Sequence, residues 1–344
     1  MGGVLAPVNA HPKYTIAYSG FEPLNTDIFI ADADGRNPKP FLADPAQDFN
    51  ASFSRDGKWI VFTSERHGSA DIYRAHPDGT GLERLTDDPS FDDQAALSPD
   101  GRTVAFVSSR SGHAEIWTLD LATRKVRNIT NHAGGHFRPA WSPDGQWIAI
   151  SSDRDSPQPH RPDGFELIQQ TEIYLLHPDG SGLRRLTHTN SYAGSPSWSP
   201  DGKQIVFYKA SFGDVIGISD PRHLRATTQI AQVNVASGQE KELTQGKGEK
   251  WSPRWLADGR IGYFSGDQAG AVVLRCTTKT HERFAANGAA DDCPSEIVVR
   301  LIKNLHSRGS ETLPRARSSR ACNSGFGGVP WRSISSHCCL RCAR

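Results

Sequence analysis

Cysteine is absent from the first 275 residues of this 344-residue chain, and all six cysteines (Cys276, Cys293, Cys322, Cys338, Cys339 and Cys342) lie near the end. A disulfide framework therefore cannot hold the bulk of the fold. No run of 18 apolar residues occurs, which excludes an apolar membrane-spanning helix. Charge excess is missing as well: 39 Lys and Arg stand against 38 Asp and Glu, a net of +1. The main part of the chain thus carries no basic footprint for nucleic acid. There is no Gly-x-Ser-x-Gly nucleophile elbow and no His-x-His pair. Cys339 and Cys342 make one C-x-x-C pair without a second at zinc-finger distance. The start, Met1-Gly2-Gly3-Val4-Leu5-Ala6-Pro7-Val8, has neither a basic opening nor a long apolar stretch, so it does not read as a signal peptide. Helical spacing of apolar residues is nowhere sustained over the repeats described next.

What is present is a repeat. Ser-Pro-Asp-Gly stands at 98–101, 142–145 and 199–202, with worn copies at Ser54-Arg55-Asp56-Gly57 and Leu256-Ala257-Asp258-Gly259. The steps are 44, 44, 57 and 57 residues, and about 40–45 residues is the length of a four-stranded propeller blade. A large residue precedes each block (Phe53, Leu97, Trp141, Trp198, Trp255), with a small one before it (Ser52, Ala96, Ala140, Ser197) except at Arg254. An apolar run follows, as in Trp147-Ile148-Ala149-Ile150, then an acidic-Ile-aromatic element: Asp27-Ile28-Phe29, Asp71-Ile72-Tyr73, Glu115-Ile116-Trp117 and Glu172-Ile173-Tyr174. Complete units close on Arg84-Leu85-Thr86, Asn128-Ile129-Thr130, Arg185-Leu186-Thr187 or Glu242-Leu243-Thr244. Pro-Asp-Gly suits tight turns between antiparallel strands. Continuous apolar runs suit sheets covered on both faces. The expected fold is all-β, a propeller of about five to six four-stranded antiparallel blades, strands a to d. Residues 14–46 supply strands b to d of blade one. Blades two to five are complete, and the last blade, starting at Trp251, is incomplete because the repeat fades.

The pattern resembles the WD40-like (PD40) repeat of TolB-type six-bladed β-propellers, carried by Trp141-Ser142-Pro143-Asp144-Gly145, Glu172-Ile173-Tyr174, Arg185-Leu186-Thr187 and their counterparts over roughly residues 14–270. The family spans scaffolds, accessory domains and some enzymes. The resemblance implies a periplasmic or extracellular protein, at odds with the missing signal peptide, which otherwise leaves the cytoplasm. Two segments are expected: a propeller over 14–274 and an aberrant Cys- and Arg-rich tail over 275–344. The tail holds 12 Lys and Arg against 5 Asp and Glu. It reads as an out-of-frame segment, a disordered basic extension or a small separate domain. Within it, Glu296-Ile297-Val298-Val299-Arg300-Leu301-Ile302 suits one strand or a helical turn.

In a meander of this order the b–c and d–a loops share one mouth of the channel, and variable loops on a rigid scaffold are where function sits. Arg66, Arg110 and Arg154 recur there at steps of 44 residues. They suit gripping carboxylates, or pairing with Asp71, Glu115 and Glu172 within the repeat. His67, His113, His132, His136 and His188 are expected on the same face. Related oligogalacturonate lyases hold a metal with channel histidines, but this spacing calls for neither metal nor cofactor. Two insertions, 155–170 and about 211–228, project from the same mouth. The residues point to recognition of a protein or peptide partner, with Arg66, Arg110, Arg154, His136 and Arg138 as binding candidates and no catalytic residue. A metal-dependent lyase-like or other carbohydrate-active propeller enzyme and a truncated non-functional product are the alternatives. The sequence does not specify an oligomeric state.

Overall fold

Each recurring block occupies one position in a repeated sheet. The computed structural model describes residues 15–21, 26–32, 37–157, 170–210, 228–246, 248–256, 259–266, 272–276 and 297–299, with no helix among them. The first sheet contains β1 (Thr15–Phe21), β2 (Thr26–Asp32) and β3 (Lys39–Pro40). The second contains β4 (Asp48–Phe53), β5 (Ile60–His67), β6 (Ser69–Ala75) and β7 (Glu83–Arg84), and the third β8 (Asp92–Leu97), β9 (Thr103–Ser108), β10 (Glu115–Asp120) and β11 (Val126–Asn128). The fourth has β12 (His136–Trp141), β13 (Ile148–Ser152), β14 (Glu172–Leu176) and β15 (Arg184–Arg185). The fifth has β16 (Tyr192–Trp198), β17 (Gln204–Ala210), β18 (Thr228–Asn234) and β19 (Glu240–Glu242). The sixth has β20 (Lys250–Trp255), β21 (Ile261–Gly266), β22 (Val272–Cys276) and β23 (Ile297–Val299). All pairings are antiparallel, and each sheet is a blade of a propeller.

The three-stranded first blade is the one expected from residues 14–46. In the sixth, the repeat leaves the sheet short, and the fourth strand comes from beyond it: Ile297-Val298-Val299 pairs with Val272-Val273-Leu274. Three residues of high β propensity beside an open edge take the strand alternative for that run. The insertions at 158–169 and 211–227 and the tail from 300 lie outside the described residues.

The turn chemistry is local and repeated. Ser142 Oγ donates to Asp144 at 2.6 Å and accepts the Trp147 N–H at 2.9 Å, while Asp144 Oδ1 accepts the Gln146 N–H at 3.0 Å. The same triangle occurs at Ser54, Ser98 and Ser199. Gly145 closes the turn at φ 72°, a left-handed conformation that a side chain would strain. The closing threonines have a different task. Thr86, Thr130, Thr187 and Thr244 Oγ1 accept the strand-c amides of Ile72, Ile116, Ile173 and Ile230 at 2.9–3.1 Å.

The core lies between blades. Along β5, Ile60 and Phe62 pack toward blade one with Ile28 and Phe41, while Val61 packs toward blade three with Val104 and Phe106. Ala105 and Val107 then meet Ile148 and Ile150; Ala149 meets Trp198 and Phe207; Val206 and Tyr208 meet Ile261 and Tyr263. Successive strand residues point to opposite faces, so a continuous apolar run serves two interfaces at once. Indole N–H groups join the blades: Trp141 Nε1 donates to Ala96 O at 3.0 Å and Trp198 Nε1 to Ala140 O at 2.9 Å. Strands β4, β8, β12, β16 and β20 touch in succession and form the inner wall. Among the described residues no apolar cluster joins blade six to blade one.

Candidate functional site

Strand a begins at the mouth shared by the b–c and d–a loops, and every full copy has a bulge there. The register shifts between Phe49 and Ser52, Asp93 and Ala96, Phe137 and Ala140, Gly194 and Ser197, and Trp251 and Arg254. In each bulge a non-glycine residue is left-handed: Asn50 (φ 51°), Gln94 (55°), Arg138 (54°), Ser195 (53°) and Ser252 (50°). Such conformations are costly outside glycine and are seen where surrounding structure enforces them, often at functional sites. These five polar residues stand at one level on the inner strands of five successive blades.

They are tied together across blades. Asn50 Nδ2 donates to both carboxylate oxygens of Asp93, at 2.8 and 2.9 Å, and Thr63 Oγ1 donates to Asp93 at 2.7 Å. The Arg138 amide donates to Gln94 Oε1 at 2.8 Å. Burial pushes the Asp93 carboxyl above its usual range against these hydrogen bonds and the nearby charge of Arg138. Arg254 joins the belt from blade six. Its side chain is reached by solvent, yet surrounding protein desolvates it, and the Arg138 charge acts on it, so its pKa falls to about 10. Solvent access combined with desolvation by surrounding protein is what a channel-lining group experiences. The departure of Arg254 from the small residues of earlier copies was the sequence signal for it. The left-handed bulges had none, because Asn, Gln, Arg and Ser carry no mark of positive φ in common.

The repeated arginines have another setting. Arg66 Nη2 meets Asp48 Oδ2 at 2.8 Å, and Arg110 Nη2 meets Asp92 Oδ2 at 2.6 Å. Their Nε groups donate to Ser64 and Ser108 at 2.8 Å. Arg66 stacks over Phe62 and Tyr73, and Arg110 over Phe106 and Trp117. Their partners are thus at the start of strand a. The strand-c acids instead pair across to strand d: Asp71 with Arg84 at 2.6 Å, Glu172 with Arg185 at 2.8 Å, and Glu115 with the Asn128 amide. Desolvation raises the pKa of Asp48 and of Asp92 despite the facing guanidinium groups.

Arg154 lies over the Tyr174 ring at 5.9 Å, with no ion pair to it among the described residues. His136 is fully buried, with its ring 5.9 Å from that of His132. His67 Nδ1 bonds the Tyr73 hydroxyl at 2.6 Å, and the His188 amide reaches Glu240 at 3.4 Å. Among the described residues, no group of three or more His, Cys, Asp or Glu side chains converges as metal ligands would. No helix long and apolar enough to cross a membrane occurs among the described residues.

Residues 87–213 match the family model of the PD40 TolB β-propeller domain. An uncharacterized protein of Agrobacterium fabrum is 31% identical over 105 residues, covering 30% of this chain and 31% of that protein. Dipeptidyl-peptidase 5 of Porphyromonas gingivalis is 31% identical over 86 residues, covering 25% of this chain and 12% of that protein. The matched stretches therefore span less than a third of either relative. The crystal structure of TolB from Acinetobacter baumannii superposes with a TM-score of 0.61 at 24% identity, over 76% of this chain and 60% of that one, a likeness of fold. The repeat, the antiparallel sheets and the family model matched over residues 87–213 together show a TolB-like β-propeller fold, with the PD40 domain match confined to that stretch.

Proposed function

We propose that this propeller is a non-catalytic recognition protein that binds a protein or peptide segment at the mouth formed by the b–c and d–a loops. The observation that carries this reading is the belt of left-handed polar residues, Asn50, Gln94, Arg138, Ser195 and Ser252, with Arg254 beside it. A wall of amides, hydroxyls and guanidinium groups suits the backbone and acidic side chains of an extended segment. Arg138 and Arg154 are the contact candidates among the residues singled out in the sequence, while His136 is fully buried and supports the strand behind them. Arg66 and Arg110 serve chiefly to hold their own blades, since their guanidinium groups are engaged by buried aspartates. Family resemblance adds an expectation of export, which fractionation of the native host would test.

The experiment is selection from a displayed random-peptide library on immobilised protein, in parallel with the Arg138→Ala/Arg254→Ala variant. Enrichment of related peptides by the wild type, lost in the variant while the folded signature is retained, is expected. No enrichment, or enrichment indifferent to both substitutions, would overturn the reading.

A further inference from the structure

The mouth of blade four repeats the arginine cradle of blades two and three with one component changed. In blade two, Asp48 stands opposite Ser64; in blade three, Asp92 stands opposite Ser108. In blade four the same register position, opposite Ser152, holds His136. Two other contacts of the cradle are kept, though the arginine Nε–serine bond and the second aromatic ring of blades two and three are not among them. Arg154 N donates to Ser152 Oγ at 3.1 Å, as Arg66 N does to Ser64 and Arg110 N to Ser108 at 3.3 Å. Tyr174 underlies Arg154 as Tyr73 underlies Arg66 and Trp117 underlies Arg110.

Among the described residues the carboxylate is the missing piece, and Arg154 Nη1 is buried without a hydrogen-bond partner. Leaving a guanidinium N–H unpaired in a desolvated place is unfavourable, and an incoming anion relieves it. Two neighbouring acids among the described residues are committed elsewhere. Asp155 accepts the Tyr174 hydroxyl, and Glu172 is held by Arg185 and Thr187. A small polar recess opens beside them, lined by Ser152, Asp155, Ser156, Gln170, Glu172 and Arg185.

We infer that Arg154 is a carboxylate-binding position. It receives from a partner the group that Asp48 and Asp92 supply within the chain. A carboxylate is favoured over other anions because the two intact cradles hold one at 2.6–2.8 Å. The inference deepens the peptide-binding reading and rests on it: the carboxylate is a peptide's acidic side chain or its C-terminus.

The test follows the Arg Nε–H resonances of the full chain by NMR at low ionic strength, with the Arg154 signal assigned by its loss in Arg154→Ala. Three probes are titrated: acetate, N-acetyl-Glu-Gly-amide and N-acetyl-Gly-Gly with a free C-terminus. N-acetyl-Gly-Gly-amide is the uncharged control. The Arg154 signal should shift saturably with the carboxylates, the Arg110 signal should stay fixed, and the amide control should do nothing. The two dipeptides separate the side-chain source from the C-terminal one. His136→Asp, which restores the partner of the other blades, should weaken carboxylate binding at least tenfold. Arg154→Ala should do the same where the aspartate variant fails to fold, read by protein amide shifts. No saturable shift, or an equal shift at Arg110, or undiminished binding in both variants, would overturn the inference. Peptides selected without acidic groups would leave recognition at the mouth standing while this inference fails. Acetate binding at Arg154 with no peptide selected would do the reverse.

Discussion

Trp198 and Trp255 occupy the same repeat position, and their indole N–H groups meet different fates. Trp198 Nε1 donates across the blade interface to Ala140 O at 2.9 Å, and its ring is nearly buried among Ala149, Ile173 and Phe207. Trp255 Nε1 is buried with no hydrogen-bond partner among the described residues. Replacing either with Phe keeps an aromatic ring and removes the N–H together with part of the ring system. At 198 the loss of a net hydrogen bond is worth about 1 kcal/mol. The missing ring atoms and the gap they leave add about 1–2 kcal/mol. At 255 the packing loss is similar or smaller, because the residue is less covered. Removal of an unsatisfied buried donor returns about 1 kcal/mol of desolvation penalty. Trp198→Phe should therefore lower stability by about 2–3 kcal/mol and Trp255→Phe by less than about 1 kcal/mol. Urea unfolding followed by far-ultraviolet circular dichroism measures both. Equal losses, or a larger loss at 255, would refute the claim that the indole hydrogen bond joins adjacent blades.

Other consequences are as direct. Thr187→Val removes the acceptor of the Ile173 amide and a hydroxyl donor to Glu172; a loss of about 1–3 kcal/mol is expected in the same assay. Asp92→Ala leaves the largely buried Arg110 guanidinium with only the more distant Asp88 carboxylate at 3.8 Å, and should cost about 3 kcal/mol, most of it recovered when Arg110 is also replaced by Met. Turn hydrogen bonds hold the Asp56, Asp100, Asp144 and Asp201 carboxyls below their usual range. Their stabilisation is full above that range and is lost as pH falls through the lowered values, so Asp144→Asn should flatten the acid limb of a stability–pH curve. Burial raises Asp48 and Asp92, which work in the opposite sense. Their contribution is lost as pH rises from the usual carboxylate value through the raised one, and Asp92→Asn should remove that part of the slope.

The sheets were legible because each block of the repeat has a local cause. Ser142, Asp144 and Gly145 build their turn from one another, and Thr187 finds its amide within the same blade. Partners across the sheet were harder to read. Periodicity shows that Arg66 and Arg110 are equivalent, but their pairing with Asp48 and Asp92 depends on the register between strands a and b, where a bulge shifts the count. The pairing of Asp71 with Arg84 gives the acidic-Ile-aromatic and Arg-Leu-Thr elements a shared purpose that neither has alone. The substitution of His136 for aspartate at the 44-residue step was visible in the sequence. Its meaning required the cradle around Arg154. The final strand, Ile297–Val299, lies so far beyond the repeat that only the open edge of β22 explains it.

Recognition at the mouth is tested most directly by photo-crosslinking a selected peptide, with a diazirine at successive positions, and mapping the adducts by mass spectrometry. Adducts should gather on the mouth-side ends of the inner strands, around Asn50, Gln94, Arg138, Ser195 and Arg254. Adducts confined to the opposite face, on the Ser-Pro-Asp-Gly turns at 98–101, 142–145 and 199–202, would contradict it.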